Sequence, residues 1–288
     1  MSNPQPNIRI NVDVTNPGQF FACCGLLELA DRLWPGAEGW FEKHHFCIKS
    51  EFSTEQNLKH ILHEIQNLTF DIGKDTNSKK KEQDKDDESL INPILLKWKN
   101  GSEAMQLDWW NDRSIKTWAG SMNHEQILRA MLDGIDSSHN DPFNHLLVVY
   151  DTPKHTERKK TRTTNSKKRE PFYFDSRRGN KSHPQDSGFS PDRHKMESQC
   201  CPVVEALCFI GLQRTRPFPT GINNMSRYTV WSIPLTTNVL SPVVCGILNL
   251  PHSKSYIFKN YFRSDQRKHK AYSQAKLERN HNEKDYNR

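Results

Sequence analysis

The chain begins with an alternating pattern that changes to a helical one. In "IRINVDV", at positions 8–14, apolar and polar residues alternate, which predicts a half-buried strand. The following stretch, "NPGQFFACCGLLELADRLW", repeats its apolar residues three and four positions apart, which predicts a helix with a broad buried face. Thr15 or Asn16 is placed to cap this helix, with Pro17 near its first position. Gly25 at its middle predicts a close approach to a strand.

The same patterns assign the later elements. They predict a strand at 40–50, a helix at 53–68, a β-hairpin around "NG" at 94–110, a helix at 124–135, a strand at 145–151, a helix at 202–217, a strand at 228–237, a short helix or strand at 241–250, and a helix between Asp265 and Asn280. This order predicts an α+β fold with a mixed or antiparallel sheet and helices on one face. It is compatible with an RRM-like or ferredoxin-like core that carries charged insertions.

Two charged segments interrupt this pattern and divide the chain. "GKDTNSKKKEQDKDDE" has no large apolar residue, so we predict a disordered insertion at about 73–89. "PKHTERKKTRTTNSKKRE" predicts a basic flexible loop at 153–170, and a solvated loop tip is its simplest interpretation. The predicted organisation is an N-terminal α/β portion at 1–152, that loop, a second α/β portion at 171–250, and a basic tail at 251–288.

Composition adds a preference for polyanions and a reducing environment. The 288 residues carry a net charge of +7, which favours a nucleic-acid partner, although a merely soluble basic protein is equally compatible. Seven cysteines in apolar surroundings, without a C-x-x-C motif, predict reduced thiols. Neither a signal peptide nor an apolar run of about 20 residues is present in the sequence. We therefore predict a cytoplasmic protein without membrane association.

Candidate catalytic residues are few. His44 and His45 are adjacent, but on the predicted strand they point to opposite faces and cannot share a metal ion without distortion. A metal-dependent nuclease would use Asp192 of "SPD" with Glu205, yet Glu205 falls in a predicted helix and the Glu-x-Lys strand motif is missing. Phosphate-loop, G-x-S-x-G and G-x-G-x-x-G motifs are also missing. We therefore predict no catalytic residue, no metal site and no cofactor.

Basic and aromatic residues give the remaining functional signal, which is for binding. Rings that stack on bases and cations that follow phosphates are typical of single-stranded nucleic-acid interfaces. The predicted nucleic-acid-binding residues are Lys167, Lys168, Arg169, Tyr173, Arg177, Arg178, Lys181, Arg214 and Arg216. A strand packed in the core is the alternative for the aromatic run at 172–174. A solvated helix end, or complementation of the helix dipole, is the alternative for the last two arginines.

Several phrases of the sequence together resemble a known family. "NVDVTNPGQFFACCGLLELADRLWPGAEGWF", "FYFDSRRG" with "GFSPD", "VVEALCFIGLQRTRPF" and "YTVWSIPL" resemble the Csb family of CRISPR-associated proteins. The third member of that family belongs to type I-U gene clusters, now called I-G. The resemblance runs nearly end to end, apart from the charged insertions and the basic tail. It implies an RRM-like fold and a place in, or beside, a Cascade-like effector complex in antiviral defence.

The resemblance also implies partners, namely CRISPR RNA and other Cas effector subunits in a hetero-oligomeric complex. It brings no catalytic motif, so the leading prediction is a non-catalytic RNA-binding subunit or accessory protein. The glycine-rich loop usual in RNA-processing endonucleases of these systems is not found in "GILNLPHSKS". Two alternatives stay open. One is a metal-dependent nuclease or CRISPR RNA-processing endoribonuclease that uses His44, His45 or Asp192, and the other is a protein-only assembly factor with a solvated tail.

Overall fold

A computed structural model of the chain describes residues 4–51, 57–72, 93–118, 124–150, 174–177, 198–262 and 270–278. Within these ranges the chain forms five α-helices: α1 Pro17–Leu33, α2 Asn57–Gln66, α3 His124–Asp133, α4 Pro202–Gly211 and α5 Leu240–Val244. Among the helices of this described part, none has the length and apolar character that a membrane span requires.

Strands make up the rest of the regular structure. In chain order they are β1 Ile8–Asn11, β2 Glu38–Glu42, β3 His45–Lys49, β4 Thr69–Ile72, β5 Ile94–Lys97, β6 Glu103–Leu107, β7 Leu147–Tyr150, β8 Ser198–Cys200, β9 Phe218–Pro219, β10 Met225–Val230, β11 Leu235–Thr236, β12 Lys254–Phe262, β13 Lys270–Tyr272 and β14 Lys276–Leu277. They form sheets in the orders β1-β3-β2-β11, β13-β12-β10-β9 with β14 beside β12, β4-β5-β6, and β7-β8. All of these pairings are antiparallel, which confirms the α+β class.

The first sheet has a split connection. Strand β3 lies between β1 and β2, and α1 connects β1 to β2. Ile10 of β1 pairs with Phe46 of β3, and Phe46 also pairs with Phe41 of β2. This is the arrangement of the first half of a split β-α-β unit. After α2, however, β4 pairs with β5 in a different sheet.

The N-terminus of α1 is capped as its sequence predicts. Asn16 is the N-cap, its side-chain oxygen accepts a hydrogen bond from the Gln19 N–H, and Pro17 is the first helical residue. The residues of α1 from Pro17 to Ala30 are all buried. This confirms the predicted broad burial of the helix.

Helix α1 lies between two sheets, and not on one face of a single sheet as predicted. The ring of Phe20 stacks on Phe41 of β2 at 5.4 Å between centroids and on Tyr228 of β10 at 4.3 Å. The neighbouring Phe21 contacts both Tyr228 and Phe258 of β12. A helix that is apolar around its circumference can be buried on several sides, which is the physical reason for this position.

A glycine pair allows α1 and α4 to pack at backbone distance. A Cβ atom built on Gly25 would overlap the carbonyl oxygen of Leu207, and one built on Gly211 would overlap the carbonyl oxygen of Phe21. The predicted close approach at Gly25 therefore exists, but its partner is helix α4 and not a strand. The contact joins the two predicted α/β portions in one hydrophobic core.

Some predicted elements are wrong in type or extent. The predicted strand at 40–50 is a hairpin, because Lys43 adopts a positive φ of 53° and the chain turns between β2 and β3. The predicted helix at 202–217 ends at Gly211. Within the predicted tail helix, residues 270–278 contain β13 and β14, which pair with β12. Pairing with a long neighbouring strand has overridden the local charge pattern there.

Other predicted elements are confirmed. The hairpin at 94–110 consists of β5 and β6, and Gly101 in its turn has a φ of 84°. The amphipathic pattern at 124–135 forms α3, and α2 lies within the predicted 53–68. The predicted disordered insertion at 73–89 and the basic loop at 153–170 lie outside the described residues, so both stay predictions.

Candidate functional site

An open cleft of about 720 Å³ lies at the N-terminal end of α1. Its lining comes from five parts of the chain: Asn11, Val12 and Asp13 at the end of β1, Gln19 of α1, His44 and His45 at the β2–β3 turn, Asn144, and Arg177. Nearly all of these side chains are polar. The cleft is the place where one of the predicted binding residues meets both adjacent histidines.

The β2–β3 turn brings His44 and His45 to the same cleft. His44 lies in the turn and His45 begins β3, so the prediction that a strand separates them onto opposite faces is wrong. The Nδ1 atom of His45 is 3.3 Å from a guanidinium nitrogen of Arg9, which is itself 3.8 Å from Glu42. The side chain of His44 is exposed and makes no hydrogen bond with a described residue.

The N-cap of α1 positions residues that line the cleft. The Asn16 side-chain oxygen accepts hydrogen bonds from the Gln19 N–H and the Ser176 N–H, and its amide donates to Asp175 at 2.7 Å. The Gln19 side chain accepts from the Asp13 N–H at 2.7 Å. One buried asparagine therefore fixes the segment 174–177 against the start of the first helix.

Asp175 and Arg177 form a largely buried ion pair beside this cap. The guanidinium of Arg177 reaches both carboxylate oxygens of Asp175, with the shortest distance 2.6 Å. Burial alone would raise the pKa of the Asp175 carboxyl. The hydrogen bonds and charge of Arg177, with the Asn16 amide, outweigh burial, so the pKa of Asp175 is below its usual value. Asp175 is therefore ionised at neutral pH.

Two further donors of Arg177 also have partners inside the protein. One guanidinium nitrogen donates to the Phe143 carbonyl at 2.6 Å, and another donates to the Asn144 side chain. Only 26% of the Arg177 side chain is exposed. The arginine therefore stabilises the wall of the cleft, and its contribution to nucleic-acid binding stays a prediction.

Glu205 of α4 has a structural position, not that of a metal ligand. It is fully buried, and its carboxylate accepts the Phe174 N–H at 3.0 Å and the Asp175 N–H at 3.1 Å. Beside it, the Cys201 thiol donates to the carbonyls of Pro142 and Phe143. Burial is the main cause that raises the pKa of Cys201 to about 12, so the thiol is protonated and is not an activated nucleophile.

The other described binding candidates lie elsewhere. Arg214 is 3.2 Å from Glu28, and Arg216 is 3.0 Å from Asp108. Both arginines follow α4 and do not end it, because that helix stops at Gly211. Glu28 is twelve residues beyond Asn16, which is about 18 Å along α1. The cleft is at the N-terminal end of α1, so Arg214 lies far from it.

Seven residues named in the sequence analysis lie outside the described part of the chain: Lys167, Lys168, Arg169, Tyr173, Arg178, Lys181 and Asp192. Among the residues that are described, no group of three or more His, Cys, Asp or Glu side chains could hold a metal ion. The six described cysteines in the core and the partly buried Cys245 are free thiols.

The cleft offers polar contacts that the sequence patterns did not reveal. Asn11, Asp13, Gln19 and Asn144 carry no motif, and they meet only through contacts between distant segments. The N-cap pattern at Asn16 was the one local feature of the sequence that marked this end of α1. Amide and imidazole groups on an open surface suit hydrogen bonding to phosphates, sugars and base edges.

Comparisons with protein-family models, with curated proteins and with solved structures find no significant match to this chain.

Proposed function

We propose that this protein is a non-catalytic RNA-binding subunit, or an accessory protein, of a type I-U/I-G CRISPR Cascade-like effector complex. Its ligand in this proposal is CRISPR RNA, its partners are other Cas effector subunits, and it acts in the cytoplasm. The resemblance of whole phrases to the Csb family supports the CRISPR role. The net charge of +7 supports a polyanionic ligand.

The cleft at the start of α1 is the observation that carries the RNA part of the proposal. It presents the exposed side chains of Asn11 and His44, together with His45, on a surface open to a chain-like ligand. Neither Asn11 nor His44 has a side-chain hydrogen bond with a described residue, so their polar atoms are available to a ligand. Single-stranded RNA exposes the sugar, phosphate and base-edge groups that such side chains bind.

We further propose that β1, α1, β2 and β3 are the first half of an RRM-like or ferredoxin-like unit. The strand order β1-β3-β2, with α1 between β1 and β2, supports this assignment. In the complete unit a fourth strand would lie beside β1. Here β4 pairs with β5, so the second half would differ from the usual arrangement.

Charge placed in the cleft tests the RNA proposal. Asn11→Glu adds a carboxylate at an exposed cleft position, and Gln106→Glu adds one at an exposed position on β6 outside the cleft. A like charge about 4 Å from a phosphate costs ~1 kcal/mol in water, or about fivefold in affinity. We expect that loss for Asn11→Glu alone, measured by fluorescence anisotropy with labelled CRISPR repeat RNA. Equal binding by both variants would show that RNA does not contact the cleft. No binding by the unmodified protein would refute the RNA-binding proposal.

A second candidate function has one specific observation in its favour. His44 and His45 share the cleft, and paired imidazoles can act as general acid and general base in RNA cleavage. This favours a CRISPR RNA-processing endoribonuclease. Gel analysis of labelled repeat RNA, with and without divalent metal, tests both this candidate and a metal-dependent nuclease. Scission that His44→Ala or His45→Ala abolishes would replace the non-catalytic proposal. Intact RNA in all reactions would support it.

A further inference from the structure

We propose a phosphate-binding site formed by Lys116, Lys270 and His124, which takes a backbone phosphate of single-stranded RNA. None of these residues lines the cleft. That the phosphate belongs to RNA rests on the proposed function. The phosphate chemistry rests on the arrangement of the side chains.

Lys116 is a buried cation that has no counter-ion in the described part of the chain. It is 8% exposed, and its ammonium makes no hydrogen bond or ion pair with any residue in the described ranges. Its Nζ atom lies 5.7 Å from the centroid of the Trp118 ring. Burial first, and then the charges of Arg113 and Lys270, lower the pKa of Lys116. A buried ammonium held among like charges is costly unless an anion joins it.

Lys270 brings a second ammonium to the same place. It is the first residue of β13, its N–H donates to the Thr117 carbonyl, and its Nζ atom donates to the Arg113 carbonyl at 2.7 Å. These two contacts hold the lysine against the segment that carries Lys116. A backbone carbonyl satisfies one of the three ammonium protons, and the others can bind an anion.

His124 adds a ring nitrogen that has no hydrogen-bond partner among the described residues. This Nε2 atom is buried, and the ring stacks on Trp110 at 3.5 Å between centroids. Burial, and then the charge of Lys116, lower the pKa of His124 to about 4. His124 is also the first residue of the ten-residue helix α3, whose N-terminal N–H groups favour a negative charge.

Two carboxylates lie near this group and do not neutralise Lys116. The charge of Asp112 raises the pKa of Lys270, in opposition to its burial. Glu125 occupies the first turn of α3 and has an interaction of its own. The charges that act on the pKa of Lys116 are those of Arg113 and Lys270, and both lower it in addition to burial.

Aromatic rings beside the cations favour RNA as the source of the phosphate. Trp110 is partly exposed next to His124, and Phe262 is partly exposed with the Lys270 ammonium 5.0 Å from its ring centroid. Proteins that bind single strands combine cations that contact phosphates with rings that stack on bases. The group at Lys116 has both components.

The test compares Lys116→Met with Lys254→Met in the full chain. Lys254 is exposed at the far end of β12, about 26 Å along the strand from Phe262, and serves as the control. We expect Lys116→Met to reduce the log–log salt slope of oligouridylate binding by about 0.7, the value for one phosphate contact, and Lys254→Met to leave it unchanged. Because Lys116→Met removes an unpaired buried charge, it should be at least as stable as the unmodified protein. Should it fail to fold, Lys270→Gln serves as the second variant.

Inorganic phosphate gives a separate readout that does not depend on RNA. The pKa of His124, followed by NMR, should rise when phosphate binds the unmodified protein and should not move in Lys116→Met. If phosphate raises the pKa of His124 but oligouridylate does not bind, the phosphate site is supported. Its assignment to RNA and the proposed function are then both refuted. If oligouridylate binds with the same salt slope in Lys116→Met and Lys254→Met, and His124 does not respond, the site is refuted while the proposed function remains.

Discussion

Replacing Arg177 with alanine removes one partner of the ion pair that holds the wall of the cleft. The change would leave the Asp175 carboxylate, whose side chain is 1% exposed, without its guanidinium. It would also remove the donors that bind the Phe143 carbonyl and the Asn144 side chain. Loss of one partner of a buried pair costs about 3–5 kcal/mol. Because 26% of the Arg177 side chain is exposed and water can partly replace it, we expect about 3 kcal/mol.

Urea denaturation followed by circular dichroism measures this loss. With an m-value of about 3 kcal/mol/M, the unfolding midpoint should fall by about 1 M. Arg214→Ala is a matched control, since that arginine also forms an ion pair with a buried carboxylate, that of Glu28, but is itself 51% exposed. It should cost less than about 1 kcal/mol. The double variant Arg177→Ala/Asp175→Asn should recover part of the loss, because it removes the orphaned charge.

A different result would refute the structural role of Arg177. If Arg177→Ala and Arg214→Ala unfolded at the same urea concentration while only Arg177→Ala lost RNA binding, the arginine would be a ligand-binding residue, as its sequence context suggests. If both properties were unchanged, neither the ion pair nor the binding prediction would hold.

Three further predictions concern the core and the pH dependence of stability. Gly25→Ala should lower the free energy of unfolding in urea by about 2 kcal/mol, because the added Cβ overlaps the Leu207 carbonyl. An increase of about 1 kcal/mol, which is typical of this change in a helix, would contradict the close contact. Leu27→Asp places a charge at a position that is 0% exposed, so it should abolish cooperative thermal unfolding, and a soluble, cooperatively folded variant would contradict the buried position. The pKa of His124 is about 4 in the folded protein and near 6.5 when unfolded, so the unfolded chain binds the proton first as the pH falls. Stability should therefore decrease between about pH 6.5 and 4, and His124→Gln should show a smaller decrease; identical pH profiles would exclude this contribution.

Local signals in the sequence were sufficient for the elements whose causes are local. The cap at Asn16, the proline after it and the apolar repeat predicted α1, and the structure confirms the cap and the burial. The "NG" at 100–101 marked the β5–β6 hairpin, since glycine readily adopts the positive φ found there. In both cases the determining interactions lie within a few residues along the chain.

Predictions from local patterns were wrong where the same pattern is compatible with two types of secondary structure. The strand predicted at 40–50 is a hairpin whose turn contains Lys43 at a positive φ. The turn has no glycine or asparagine, the residues that usually indicate such a turn in a sequence. The segment 270–278 looked helical from its charges, yet β12 offers it hydrogen-bonding partners and it forms strands. A neighbouring strand supplies backbone partners that a charge pattern cannot indicate.

By itself, the sequence determined the α+β class and the capped first helix. Only the tertiary structure decided which polar residues meet. Asn16 binds Asp175 across 159 residues of chain, and Lys270 binds Arg113 across 157. It also gave Arg177 a buried partner and left Lys116 without a counter-ion among the described residues. The physical reason is that the effect of a charge depends on its burial and its neighbours, and both are set by contacts between segments far apart in the chain.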